Sequence, residues 1–246
     1  MSAEYTFTKN KLDECFKELG KEYRKRSGKN TEAEIVLIGG ASVLINYMFR
    51  DMTDDADAVI EASSAMKESI NAVGDRLRLP RGWLNTDFKK TGSYSVKLRE
   101  VSKHYRQYSN VLNIRTVAGE YLVAMKLMSG RVYKYDLSDI VGILFEHERR
   151  GEPVSKESVE DAVGFLYGNE LPEKSKVFFD NIFNDGDYER LYGALRRSEK
   201  DNKELLLEVR DDYPGILDTV GVDDILAQVR KKKKVDGGAP NANRAL

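Results

Sequence analysis

The stretch "RDMTDDADAVI", Arg50 to Ile60, places Asp55 and Asp57 two residues apart where an apolar run begins. On an extended strand, residues two apart face the same side. Two carboxylates so placed repel, and one of them prefers to stay protonated unless a cation sits between them. Mg²⁺ suits such a pair, because it takes one or two carboxylates from a protein and completes its shell with water and substrate phosphates. Upstream, "AEIVLIGGAS" puts Gly39-Gly40 directly after a β-branched run and before a helical one. A backbone without side chains can approach a phosphate closely, and the helix that follows offers unpaired N–H groups and the positive end of its dipole. Ser42 adds a hydroxyl at that helix start. An anion cradle and a metal holder at one sheet edge form a layout for phosphoryl or nucleotidyl transfer. Each half alone is weak: most glycine pairs are plain turns, and the cluster Asp51, Asp54, Asp55, Asp57 also reads as a solvated acidic turn.

Several elements must position these residues. Leu12, Cys15, Phe16, Leu19 and Tyr23 recur at spacings of three and four, which predicts a first helix with one apolar face. "AEIVLI" and "ADAVIEA" read as strands, with Ser63 and Ser64 as N-cap candidates for the helix that Pro80 stops. The polar, aromatic-dotted stretch from Arg81 to Asn110 reads as an irregular loop with weak strands, and "NVLNIRTV" as a third strand. "GEYLVAMKLMSGR" reads as a helix with Leu122, Met125 and Leu127 inward, and "DLSDIVGILFEHERRG" as another, with Asp136 near its start and Gly151 as its stop. From Ser155 the pattern is helical throughout. A capped first segment precedes "EKSKVFFDNIF", "DYERLYGALRRS", "DNKELLLEVRDDYPG" and "VDDILAQVRKKKK". The expected fold is α/β (α+β): a small mixed-sheet core over residues 1–150, a helical module over 151–234 and a loose tail over 235–246.

Composition narrows the chemistry. The chain of 246 residues is 33% charged and 41% apolar, with a net charge of −1. That balance fits a globular protein and gives no overall footprint for nucleic acid. One cysteine and two histidines nearly exclude a zinc site of Cys and His ligands, so any metal would be a hard cation on carboxylates. The lone cysteine, the absence of a long apolar run and a charged N-terminus unlike a secretory signal suggest the cytoplasm and no membrane.

With both halves in view, "GGASVLINYMFRDMTDDADAVI" resembles the first motif of the nucleotidyltransferase superfamily related to DNA polymerase β, closest to the branch of the bacterial AbiEii-type toxins. That branch carries Gly-Gly or Gly-Ser, a short helix, often Arg-x-Thr, and then D-x-D. Here the Arg50-to-Thr53 spacing is one residue longer. The branch later carries a lysine helix, an arginine and D-x-x-D, matched by Lys126, Arg131, Asp136 and Asp139 in "YLVAMKLMSGRVYKYDLSDI". "GWLN", Gly82 to Asn85, also resembles a segment between these motifs in related proteins. The resemblance spans roughly Glu34 to Phe145. It implies that Gly39, Gly40 and Ser42 contact a nucleoside triphosphate and that Asp55 and Asp57 hold Mg²⁺. It also implies that Lys126 reaches the nucleotide with Arg131 in support, and that Asp136 orients Lys126 or acts as base. Asp136 reads equally as a helix N-terminal acid, and Asp139 as structural. Polymerase-like members place a third carboxylate on a later strand. The strand expected to carry it, "NVLNIRTV", offers Asn113, which leaves Asp87 or Asp136 as base, a two-acid mechanism, or lost catalysis. The implied acceptors are the end of a tRNA or other RNA, a protein hydroxyl, or a small molecule. A toxin role with a separately encoded antitoxin, and a non-catalytic module that binds nucleotide or a partner protein, are the remaining readings.

Among the other residues, "SKHYRQYS" interleaves bases and aromatics around His104. It reads as an RNA contact or, more simply, an amphipathic edge strand. "RKKKK", Arg230 to Lys234, reads as a helix C-terminus favoured by the dipole, and "RKRSGK" after Tyr23 as ordinary surface charge. His147 is expected to be solvated and Cys15 to sit in the core.

Overall fold

The computed structural model describes residues 5–131, 134–168, 170–212 and 222–236, without the side chains of 210–212, 223 and 232–236. Its elements run α1 (Lys9–Ser27), β1 (Ala33–Leu37), α2 (Gly39–Asn46), β2 (Ala56–Glu61), α3 (Ala65–Leu77), β3 (Leu84–Asn85), two 3₁₀ turns (Asp87–Lys90 and Val96–Arg99), β4 (Ser102–Tyr108) and β5 (Leu112–Val117). Then come α4 (Gly119–Ser129), α5 (Asp136–Arg149), α6 (Lys156–Tyr167), α7 (Glu173–Asp185), α8 (Tyr188–Asp212) and α9 (Val222–Asp236). The five strands form one mixed sheet in the order β3-β2-β1-β5-β4. β1 runs antiparallel to β2 and parallel to β5, β2 parallel to β3, and β4 antiparallel to β5. The fold is thus the mixed α/β architecture expected, a small sheet followed by helices.

Strand alternation splits the core into two layers. Ile35, Leu37, Ala58 and Ile114 face one side, against Leu12, Phe16 and Leu19 of α1 and Met66 and Val73 of α3. Val36, Ile38 and Val117 face the other, against α4 and α5, and that layer continues without a break into Val159 of α6 and Phe179 of α7. The five apolar positions picked out along the first helix are all fully buried. Thr8 caps that helix, its Oγ1 accepting from the Lys11 N–H at 3.3 Å.

Four local expectations are corrected. Ser64 makes no side-chain cap on α3, and Ser63 Oγ instead pairs with Tyr23 Oη at 3.1 Å, a bond to α1 that outcompetes a local cap. The two segments drawn from "DYERLYGALRRS" and "DNKELLLEVRDDYPG" are one helix of 25 residues. Its polar middle contains no Gly or Pro, and Glu199 and Asn202 are buried there, so tertiary packing carries the helix through. His147, expected to be simply solvated, is half-buried and bonded: its Nε2 lies 3.0 Å from Tyr47 Oη and its Nδ1 3.1 Å from the Glu152 carbonyl oxygen. The last helix runs on to Asp236, past the expected start of the tail, and residues 237–246 lie outside the described ones. Among the described residues, no helix is long and apolar enough to cross a membrane.

Candidate active site

The glycine pair occupies the turn between the C-terminal end of β1 and α2. Gly39 adopts φ 53°, the left-handed region that glycine enters without a Cβ penalty. Gly40 is required for a different reason. A Cβ there would stand 2.7 Å from Thr53 Oγ1 and 2.9 Å from Arg50 Nη2, so the guanidinium lies against the turn only because this residue has no side chain. The turn is tied to β2 by the Ile38 N–H, which donates to the Asp57 carbonyl at 3.0 Å. No side chain caps α2, so its first N–H groups remain available at the turn.

Asp57 meets this turn, and Asp55 joins it through Asn85. Asp57 Oδ2 lies 3.9 Å from where a Cβ on Gly39 would stand. Asp55 stands just before β2, and Asn85 of β3 pairs directly with Asp57 in register. The Asn85 amide donates to Asp55 Oδ2 at 3.4 Å, and its Oδ1 accepts the Asp87 N–H at 2.9 Å, which fixes the amide's orientation. Burial, then repulsion from Asp55, pushes the Asp57 carboxyl up to about 6, against weaker help from Asn85, Arg131 and Lys134. Burial also raises Asp55, opposed by Lys134. Two partly desolvated acids that repel each other are a site short of positive charge. A hard divalent cation fits that donor set. Among the described residues no group of three or more His, Cys, Asp and Glu could hold a metal.

Asn85, not Asn113, is the neighbour on the adjoining strand. Asn113 pairs in register with Glu34, at the far end of β1 from the glycine turn, and its Nδ2 donates to Glu34 Oε2 at 3.4 Å. "NVLNIRTV", expected to be the strand that would carry a third carboxylate, is β5, which the strand order sets on the other side of β1 from the acids.

The later motif forms a buried relay of alternating charge. Lys126 is 6% exposed, and its Nζ sits 2.7 Å from Asp136 Oδ1 and 2.8 Å from Asp139 Oδ2. Asp139 also receives Arg50, and Asp136 receives Arg131 Nε at 2.8 Å. The sequence of charges is thus Arg50, Asp139, Lys126, Asp136, Arg131. Burial alone would raise Asp136, but Lys126 and Arg131 outweigh it and hold the carboxyl at about 2. Burial likewise opposes the Lys126 charge, and its two carboxylates hold it protonated.

Two expected nucleotide contacts point elsewhere. Ser42 is fully buried, and its Oγ accepts the Val117 N–H at 3.0 Å, because its position in the first turn of α2 faces β5. Lys126 is committed to two carboxylates within the core. Asp136, considered as a base, is fully buried and held ionised, whereas Asp87 is exposed and paired with Lys90 at 2.6 Å. Gly39, Gly40, Asp55 and Asp57 come together, with Arg131 close enough to lower Asp57. Arg50, Thr53, Asn85 and Lys134 join them without having been picked out as site residues. Around His104, Tyr105 and Tyr108 donate to Asp13 of α1 at 3.0 and 2.6 Å, which is the contact set of a docked edge strand.

A family model described as "Nucleotidyltransferase of unknown function (DUF6036)" matches residues 14–148, more than half of the chain. The chain belongs to this nucleotidyltransferase family. The matched stretch holds every residue of the candidate site from the glycine turn to the relay. Searches of curated proteins and of solved structures returned no match.

Proposed function

We propose that this nucleotidyltransferase moves a nucleoside monophosphate from a nucleoside triphosphate to an acceptor hydroxyl, with Mg²⁺ held by Asp55 and Asp57. The supporting observation is the meeting of Asp57 Oδ2 with the left-handed turn at Gly39, 3.9 Å from the missing Cβ. Mg²⁺ between the acids would relieve their repulsion and offset charge on the phosphates. The turn and the free N–H groups of α2 receive the triphosphate. Arg50 lies beneath the turn, oriented by Asp139, and adds positive charge there without reaching out from the surface. Arg131 and Lys134 flank the acids and supply the exposed cations for phosphate oxygens. Lys126 acts through its neighbours, as the central charge that keeps Asp136 ionised, pairs with Asp139 and so keeps Arg50 and Arg131 aimed. Asn85 holds the carboxylate pair in place but takes no proton. Positioning and fixed charge therefore supply most of the rate.

The reading extends to an acceptor at the end of a tRNA or another RNA, a protein hydroxyl or a small molecule. In the AbiEii-like version it extends to a toxin paired with an antitoxin. One observation favours the rival reading, a catalytically silent module that binds nucleotide or a partner protein: an amide, Asn85, stands beside the acids where a third carboxylate would complete the set. The test is incubation with labelled nucleoside triphosphates, Mg²⁺ and total tRNA, beside the double variant Asp55→Ala, Asp57→Ala. Mg²⁺-dependent label transfer that the variant loses supports the reaction. Mg²⁺-dependent nucleotide binding without transfer to any acceptor supports the module.

A further inference from the structure

A second feature stands apart from the cleft. A cavity of about 400 Å³ opens between the end of α4, the start of α5, and helices α7, α8 and α9. Glu199 of α8 lines it and is 1% exposed. Its Oε1 accepts the N–H groups of Leu137 and Ser138, at 2.9 and 3.3 Å, so it caps α5 from another helix. Its Oε2 has no hydrogen-bond partner. A buried carboxylate oxygen without a partner is costly, and native proteins rarely keep one without a use. The cavity walls combine apolar surface from Leu137, Phe178 and Leu226 with two cationic residues at the outer side, Lys174 and Arg230, the second donating to Asn202 Oδ1. The chemistry is polarised: an acceptor at the buried end, an apolar middle and positive charge towards solvent.

We propose that this cavity is a second binding site, for a small zwitterion that carries a protonated amine at its buried end and a carboxylate or phosphate at its outer end. The ammonium donates to Glu199 Oε2, the methylene body lies along Phe178 and Leu226, and the anion meets Lys174 and Arg230. The pull of the burial on Glu199, whose carboxyl is pushed up to about 7, is relieved when a cation is buried with it. Such a ligand sits one helix turn from the relay, because the residues whose N–H groups Glu199 holds lie between Asp136 and Asp139. Its binding does not depend on the proposed transfer reaction.

The test uses the full chain and a series of ω-amino acids from 3-aminopropanoate to 6-aminohexanoate, with butylammonium and butanoate as single-ended controls, measured by calorimetry. One member should bind at one site per chain, with both controls weaker by about tenfold or more. Glu199→Gln keeps an acceptor for the Leu137 and Ser138 N–H groups and removes the charge. It should weaken the amino acid by about ten- to a hundredfold, the worth of a buried charged hydrogen bond, and leave butanoate unchanged. Ala227→Trp, which fills the cavity from an exposed position, should abolish binding in a chain that melts normally. No saturable binding below about 10 mM for any member overturns the proposal, as does equal binding to Glu199→Gln or to Ala227→Trp.

Discussion

Replacing Asp57 by Asn should make the metal-free protein more stable while removing its response to Mg²⁺. In the folded state the carboxyl titrates at about 6 against an ordinary 3.8. Its folded pKa is raised, so the folded chain binds this proton more tightly than the unfolded chain. The charged form therefore costs stability above pH 6, and the cost fades as pH falls towards 4. A shift of this size corresponds to an upper bound of about 3 kcal/mol. The side chain is part-exposed and solvent screens it, which lowers the expectation to about 1–2 kcal/mol. In a chain of this length that is a rise in Tm of roughly 2–8 °C. The assay is thermal unfolding in EDTA at pH 7.5 and again at pH 4.5, where the advantage of Asp57→Asn should shrink to about a third. Added Mg²⁺ should raise the wild-type Tm and leave the variant unmoved. A variant less stable than wild type at pH 7.5, or an advantage that does not shrink in acid, would refute the reasoning.

Three further outcomes are expected. Lys126→Met leaves Asp136 and Asp139 buried with less compensation and should cost about 3–5 kcal/mol in denaturant unfolding; a loss confined to nucleotide affinity would contradict the relay. Gly40→Ala drives a methyl group against Thr53 Oγ1 and the Arg50 guanidinium. It should cost about 1–3 kcal/mol and weaken triphosphate binding by calorimetry, whereas unchanged binding would remove Arg50 from the site. Ser42→Ala orphans the buried Val117 N–H and should cost about 1–3 kcal/mol without altering KM for nucleotide; a raised KM at full stability would restore Ser42 to the phosphates.

The parts of the site that sequence could show are those set by short-range period. The two-residue spacing of Asp55 and Asp57, and a glycine pair between a strand and a helix, carry their own geometry. So do Lys126, Asp136 and Asp139, whose association follows from two consecutive helices. What sequence could not show is direction. Ser42 lies in the same turn as the glycines, yet faces β5 rather than the cleft, and only the packing of α2 decides that. The place of Asn85 beside the acids is not legible from its segment, because β3 is two residues long and its register against β2 is a tertiary fact. Arg50 and Lys134 sit in irregular segments, where spacing encodes no facing. The long α8 was divided because its polar middle looks like a surface break, although Glu199 and Asn202 are buried there by other helices.

That helix has a practical consequence. Tyr192 Oη donates to the Phe49 carbonyl at 3.1 Å, one residue before Arg50, while Glu199 holds the opening of α5. The stretch shared with the family ends at residue 148, before either contact is made. A fragment trimmed to those boundaries would keep every group proposed for the chemistry and lose the brace that spans both banks of the cleft. Constructing the minimal domain therefore means retaining the brace, or grafting another hydroxyl and carboxylate at the same two points.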